Sequence, residues 1–201
     1  MYSSRKKGLR LSFNAPVTLV FSALCVIACL VIRQEGNSAV RAVFSVYRAP
    51  LDDPLTWVRC VTYVLGHAGW DHLIGNLMFI LLLGPMVEEH YGSKNTLIVI
   101  LATAVITGII NMAFFPGVRL LGASGVVFAF ILISSITIRE DNTIPVTFIL
   151  VAVLYLGQQI WQGLFQQDNV SQMAHIAGGA VGAGLGFLLG RAHQQKNRSS
   201  F

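Results

Sequence analysis

Residues Leu121 to Phe130 read LGASGVVFAF, which places Ser124 between Gly122 and Gly125 at the start of an apolar helix. Flanking glycines let other backbone approach the serine closely and leave its hydroxyl unscreened. Small residues in a membrane helix usually serve packing, so this motif alone favours a structural role over a nucleophile. The positions of the histidines change that balance.

Composition places the chain among membrane proteins. Hydrophobic residues make up 54% of its 201 residues and charged residues 11%, well below the roughly 25% charged content of soluble domains. The net charge of +5 does not point to nucleic acid, because seven of the fourteen Lys and Arg lie in two tails beside apolar segments. That placement suits membrane topology and anionic lipid, so the bilayer is an expected partner and nucleic acid is not. The three cysteines lack metal-ligand spacing, and we expect neither a metal nor another cofactor.

Six long apolar segments predict an all-α membrane protein with six transmembrane helices. The segments are residues 15–32, 70–87, 96–115, 120–138, 144–164 and 173–189. Residues 33–69 are too apolar for a linker and too charged to span, so we expect a partly helical loop at the membrane interface. Residues 1–15 and 191–201 are tails around a membrane domain of residues 16–190. With both tails cytoplasmic, nine Lys and Arg lie inside and five outside, as the positive-inside rule favours.

Polar residues within these segments suggest a shared site. His72 and Asn76 lie one helical turn apart on one face of the second segment, where polar groups are costly without partners. Interhelical hydrogen bonding is the alternative for this pair, and it is the role we expect for Asn111 in the third segment. In the predicted topology, helices two, four and six begin at the outer face, so His72, Ser124 and His175 lie at similar depth.

Helix six carries glycines at every fourth position, 178, 182, 186 and 190, which would let another helix approach very closely. His175 lies on or beside this glycine stripe, and Ser124, Gly125 and Ala129 offer a matching small surface on helix four. Close packing would then bring the histidine within hydrogen-bond reach of the serine. A buried, neutral imidazole can take the hydroxyl proton, which is what an activated nucleophile requires.

Taken together, these motifs resemble those of the rhomboid family of intramembrane serine proteases, over about residues 57–190. Residues 122–125 are similar to the family's GxSG motif, and residues 174–178, AHIAG, to its AHxxG motif. The second helix resembles the family in two further patterns, one formed by His67, His72 and Asn76 and one by Glu88, Gly92 and Ser93.

The resemblance implies a six-helix bundle of the bacterial inner-membrane type, with a water-filled cavity that opens outward. It implies Ser124 as nucleophile and His175 as general base, with His72, Asn76 and the Ser124 backbone amide stabilising the oxyanion. Supporting roles are implied for Gly122, Gly125, Phe128, His67, Gly178 and Gly182. The implied reaction is cleavage of transmembrane protein substrates near the outer membrane face.

Two positions depart from the family pattern. Phe128 stands where a tyrosine often packs on the base, and Trp57 is separated by one residue from Arg59, where adjacent Trp and Arg are usual. Two other functions compete with protease activity. One is a catalytically silent relative that binds or escorts membrane proteins, although such relatives usually lack the serine or the histidine. The other is a small transporter or channel, for which the spans lack a charged pathway.

Overall fold

The computed structural model describes residues 13–35 and 38–137, together with residues 146, 149, 150, 153, 154, 157, 178–180, 182, 184 and 188. The first continuous range forms α1 (Pro16–Glu35), and the second contains α2 (Ser38–Val43), α3 (Pro54–Thr62), a 3₁₀ turn (Tyr63–Leu65), α4 (Trp70–Tyr91), α5 (Ser93–Phe114) and α6 (Ser124–Thr137). The predicted fifth span and most of the sixth, including His175, lie outside the described residues.

Three of these helices, α1, α4 and α5, are long and apolar enough to cross a membrane. The apolar part of α6 is shorter, Ser124–Ser134. The prediction of an all-α membrane architecture is therefore confirmed for the described part of the chain, in which α1, α4 and α5 match the first three predicted spans. The predicted total of six spans depends on residues that the structure does not describe.

The fourth helix begins later than predicted, at Ser124 rather than at Leu120. Leu120 and Val46 exchange two backbone hydrogen bonds of 2.9 Å, which keeps Leu120 extended. Gly122 then has a φ of +121°, a conformation outside the helical region. The serine is therefore the first residue of α6 instead of its fifth.

Glu88, near the end of α4, fixes the start of α1. Its carboxylate accepts the backbone N–H groups of Val17 and Thr18 at 2.9 Å each, and the hydroxyls of Thr18 at 2.9 Å and Ser93 at 2.7 Å. The first amides of a helix have no intrahelical acceptor and carry partial positive charge, so a carboxylate satisfies them well. This contact makes α1 and α4 antiparallel neighbours, and the end of α1 therefore lies beside the start of α4.

The loop after α2 is fastened to the connection between α5 and α6. Arg48 Nε donates to Met112 O at 2.7 Å, which satisfies a carbonyl at the end of α5. Asn111 donates to Val46 O at 3.3 Å and to Val118 O at 3.2 Å. The prediction of a helix-to-helix bond for Asn111 was wrong, because its amide joins two loops. These contacts place the Leu120–Ser124 segment, the start of α4 and the end of α1 at one end of the molecule.

Candidate active site

The loop before Ser124, paired with Val46 through Leu120, is also bonded to the 3₁₀ turn. The N–H of Gly122 donates to Tyr63 O at 3.0 Å. Val127 N donates to Ala123 O at 2.9 Å, so helical hydrogen bonding begins immediately after this loop. Ser124 is 4% exposed and occupies the positive end of the helix dipole.

His72 lies directly against this loop. A Cβ atom added at Gly122 would lie 2.7 Å from His72 Cε1 and 2.8 Å from His72 Nε2. Both distances are too short for a real Cβ contact, so no residue with a side chain fits here without a shift. The imidazole therefore reaches the backbone two residues before Ser124 because Gly122 has no side chain. His72 is in the first turn of α4, so the starts of α4 and α6 meet at this point.

Asn76 lies one turn further along α4 and is 6% exposed. Its Nδ2 donates to His72 O at 3.0 Å, which orients the amide along the face that carries His72. A carboxamide has two N–H groups. The contact with His72 O uses one of them.

The His67 ring packs against the His72 ring. Its ring centroid lies 5.0 Å from that of His72, with the two planes at 65°, and the side chain is 2% exposed. His67 Nδ1 lies 3.0 Å from Leu65 O, and because a carbonyl can only accept, Nδ1 carries the hydrogen.

The pKa of His67 falls from its ordinary value of 6.5 to about 4. Burial is the main cause, the neighbouring His72 acts in the same direction, and the hydrogen bond to Leu65 O opposes both. At neutral pH His67 is therefore an uncharged side chain that positions the His72 ring.

The described glycines of the stripe, Gly178 and Gly182, and the adjacent Gly179 pack against α5 and α6. A Cβ atom at Gly178 would overlap the Thr107 side chain, and one at Gly179 would overlap the Phe128 ring. At Gly182 a Cβ atom would lie 2.5 Å from Ala129 Cβ and would also overlap Thr103 Oγ1. The close approach predicted for the stripe is thus present at these positions, and it extends to α5, which the sequence did not indicate.

Two threonines of α5 were missed by the sequence reasoning. Thr103 and Thr107 are fully buried one turn apart, and their side-chain atoms lie 3.7 Å from a Cβ placed at Gly125. They line the junction of Gly125 with the glycine stripe. The only available signal was their spacing of four residues in an apolar span, the same spacing that singled out His72 and Asn76.

The structure therefore places the His72 ring against Gly122, two residues before Ser124, where α4 and α6 meet. His67 packs on the same ring, and Asn76 is bonded to the His72 carbonyl one turn along α4. Gly125 follows Ser124 directly and lies against α5, and Phe128, one turn after Ser124, lies against Gly179. Within the described residues, no three His, Cys, Asp or Glu side chains are grouped as a metal site.

These helices and this buried polar cluster define an all-α membrane protein with a candidate site at one end of its helices. The family model described as the rhomboid domain matches residues 54–192, more than half of the chain, and the chain therefore belongs to the rhomboid family.

Two relatives illustrate the similarity. The chain is 29% identical over 159 residues to "Rhomboid-related protein 2" of Mus musculus, which covers 69% of this chain and 53% of that protein. It is 26% identical over 149 residues to "Rhomboid-like protein 11, chloroplastic" of Arabidopsis thaliana, which covers 67% of this chain and 53% of that protein. The chain thus spans about half the length of these curated relatives.

Proposed function

We propose that this protein is an intramembrane serine endopeptidase that uses Ser124 as nucleophile and His175 as general base. The observation that carries the proposal is the contact of the His72 imidazole with the backbone of Gly122, two residues before Ser124. This contact brings a polar side chain of α4 against the loop that leads into Ser124, at the N-terminus of α6. Membership of the rhomboid family supports the same activity.

In the proposed reaction Ser124 Oγ attacks the scissile carbonyl carbon and its proton passes to His175. Negative charge then develops on the carbonyl oxygen. The backbone N–H of Ser124, His72 and the second N–H of Asn76 are the donors that would stabilise it. His175 returns the proton to the leaving amine, and water, deprotonated by the same imidazole, releases the acyl group from Ser124.

The proposed substrates are membrane proteins with a single transmembrane helix. Ser124 lies at the end of the molecule where α4 and α6 begin, so the scissile bond should lie near one membrane face. With cytoplasmic tails this is the outer face. A helical substrate hides its carbonyls in hydrogen bonds, so helix-breaking residues near the cut should favour cleavage.

The test is labelling of the purified, folded protein with a serine-directed fluorophosphonate, followed by peptide-level identification of the modified residue. We expect the label on Ser124 and not on Ser134, which is on the same helix and serves as the internal control. Labelling should vanish in Ser124→Ala and fall sharply in His175→Ala, since an unassisted hydroxyl stays protonated at neutral pH.

Cleavage of a single-span reporter substrate by the same preparations completes the test. If the folded wild-type protein is neither labelled nor active on the reporter in any lipid, the proposal of a protease fails and the catalytically silent binding protein becomes the better interpretation. Mapping the cut by mass spectrometry tests the position of the site, and a cytoplasmic-side cut would contradict the proposed orientation.

A further inference from the structure

A cavity of about 290 Å³ lies between the end of α1 and the loops that precede α4 and α6. Its walls combine apolar side chains, including Ile32, Phe44 and Leu121, with the guanidinium-bearing side chains of Arg41 and Arg119. We call it the arginine pocket. Its volume is at the lower end of the range of roughly 300 to 1,000 Å³ typical of small-molecule sites.

Neither arginine of the pocket has a carboxylate partner among the side chains that the structure describes. Two other arginines of this loop region do have acceptors, since Arg59 lies 3.7 Å from Asp53 and Arg48 donates to the Met112 carbonyl. The third, Arg33, lies over the Trp70 ring, with 5.9 Å between its guanidinium carbon and the ring centroid. Arg119 is held in place by the Tyr47 ring, whose centroid lies 4.5 Å from its guanidinium carbon.

Two such charges bordering one cavity create a positive potential that favours an anion. His67 also lines the pocket, but its pKa of about 4 leaves it uncharged at neutral pH. The pocket's charge therefore comes from Arg41 and Arg119.

The depth of the pocket indicates which anion it meets. Ile32 is in the last turn of the membrane-spanning part of α1, Pro16–Arg33, so the pocket lies where a bilayer carries its headgroups. Guanidinium groups match phosphate oxygens with paired, charge-assisted hydrogen bonds. The apolar walls suit the glycerol and first acyl carbons that accompany a lipid phosphate, and a free anion would leave them without a partner.

We propose that the arginine pocket binds the phosphate of an anionic phospholipid, with Arg41 and Arg119 as donors and Ile32 and Phe44 against the glycerol backbone. Phosphate chemistry is shared with inorganic phosphate, so the experiment includes both. The inference is independent of whether the protein cleaves peptides, because its readout is lipid retention.

The test uses native mass spectrometry of the delipidated full chain mixed with equal amounts of phosphatidylglycerol and phosphatidylcholine. We expect wild type to retain phosphatidylglycerol about tenfold better, the scale of one charged hydrogen bond. Arg41→Gln should remove most of this preference, and Arg41→Gln with Arg119→Gln should remove all of it. Lys94→Gln removes an exposed cation in the first turn of α5, directly after the far end of α4, and should keep the preference.

Arg119→Gln also removes the contact with Tyr47, so Arg41→Gln, whose side chain is exposed, decides the matter if the double variant unfolds. Equal retention of the two lipids by wild type, or an unchanged preference in Arg41→Gln, would overturn the proposal. Thermal stabilisation by inorganic phosphate equal to that by phosphatidylglycerol would assign the pocket to a free anion instead. If wild type shows no lipid preference but cleaves a reporter with acidic residues faster than a neutral one, and Arg41→Gln cleaves both equally, the pocket would be assigned to substrate.

Discussion

Gly122 is required for two separate physical reasons. Its φ of +121° is a conformation that costs an L-residue about 1 to 3 kcal/mol. In addition, the His72 ring occupies the space that a side chain at this position would need. The sequence motif predicted that other backbone could approach the serine closely, but it predicted neither the contact with the His72 side chain nor the backbone angle. Both requirements act on the same loop, so the position of Ser124 relative to α4 depends on this one residue.

At the same scale, Asn76 has a structural bond and a proposed catalytic one, and the two can be separated. Asn76→Ala should reduce turnover by roughly 10² to 10³, the effect of losing one oxyanion donor. Asn95 is a matched control, because its Nδ2 donates to Tyr91 O at 2.9 Å in the same i to i−4 pattern, near the start of α5.

Turnover of Asn95→Ala should equal that of wild type, and both variants should have similar denaturation midpoints in detergent. Equal turnover in the two variants would remove the catalytic role of Asn76 and leave only the helix contact.

His67 should make the folded state sensitive to acid. Its pKa is about 4 when folded and 6.5 in an exposed chain, so between these values the unfolded state binds a proton that the folded state does not. Stability should therefore fall as pH decreases from about 6.5 to about 4, by roughly 3 kcal/mol in total. Above pH 6.5 the effect should be absent.

The measurement is the denaturation midpoint from pH 4 to pH 8 for wild type and His67→Asn, which keeps a donor for Leu65 O and does not titrate. The variant should lose most of the acid sensitivity in this window. An identical pH dependence in the two proteins would show that another group is responsible.

At the scale of elements, the glycine stripe is where packing and activity are expected to meet. Gly182→Leu should push the stripe away from Ala129 and Thr103, because even a Cβ atom has no room there. Since catalysis depends on sub-ångström placement of the reacting groups, turnover should be abolished although the substituted residue is not a catalytic one.

Gly184→Leu is the matched control, since a Cβ atom at Gly184 meets nothing within 4 Å. Turnover and fluorophosphonate labelling are measured for both variants, with folding checked by thermal denaturation. Wild-type activity in Gly182→Leu would show that the stripe does not set the geometry of the Ser124 and His175 pair.

The elements also show what the sequence could and could not predict. Hydropathy located α1, α4 and α5 because a membrane span is a local, length-limited property. The start of α6 was misplaced because it is decided by Val46, which lies far away in the sequence and pairs with Leu120. The prediction for Asn111 was wrong for the same reason, since its partners are loop carbonyls whose positions depend on the whole fold.

The same distinction between local and long-range properties decides which parts of the candidate site could be predicted. His72, Asn76 and Ser124 were found because polar residues in apolar helices are few and their spacing is regular. The contact of His72 with Gly122 and the threonines facing the glycine stripe depend on how helices meet in space. The family resemblance was confirmed by the rhomboid domain match, whereas the roles of Ser124 and His175 stay predictions.

At the scale of the whole molecule, α4 connects the candidate site at one end of the molecule with the other end. His72 lies at the start of this helix and Glu88 near its end, where the carboxylate holds the start of α1. The other end of α1 contributes Ile32 to the arginine pocket, so α1 contacts both ends of the molecule. We therefore expect a substitution at Glu88 to lower the global stability of the fold and not only to disturb its own surroundings.

Glu88→Ala should therefore destabilise the fold by about 3 kcal/mol or more, since it leaves the amides of Val17 and Thr18 and the hydroxyl of Ser93 without their acceptor. Glu88→Gln keeps one acceptor oxygen and should lie between Ala and wild type. Glu89→Ala removes the adjacent exposed carboxylate and should leave the denaturation midpoint unchanged. If Glu88→Ala and Glu89→Ala denature at the same temperature in detergent, the start of α1 is held by its lipid-facing and interhelical packing, and the carboxylate contributes little to the assembled structure.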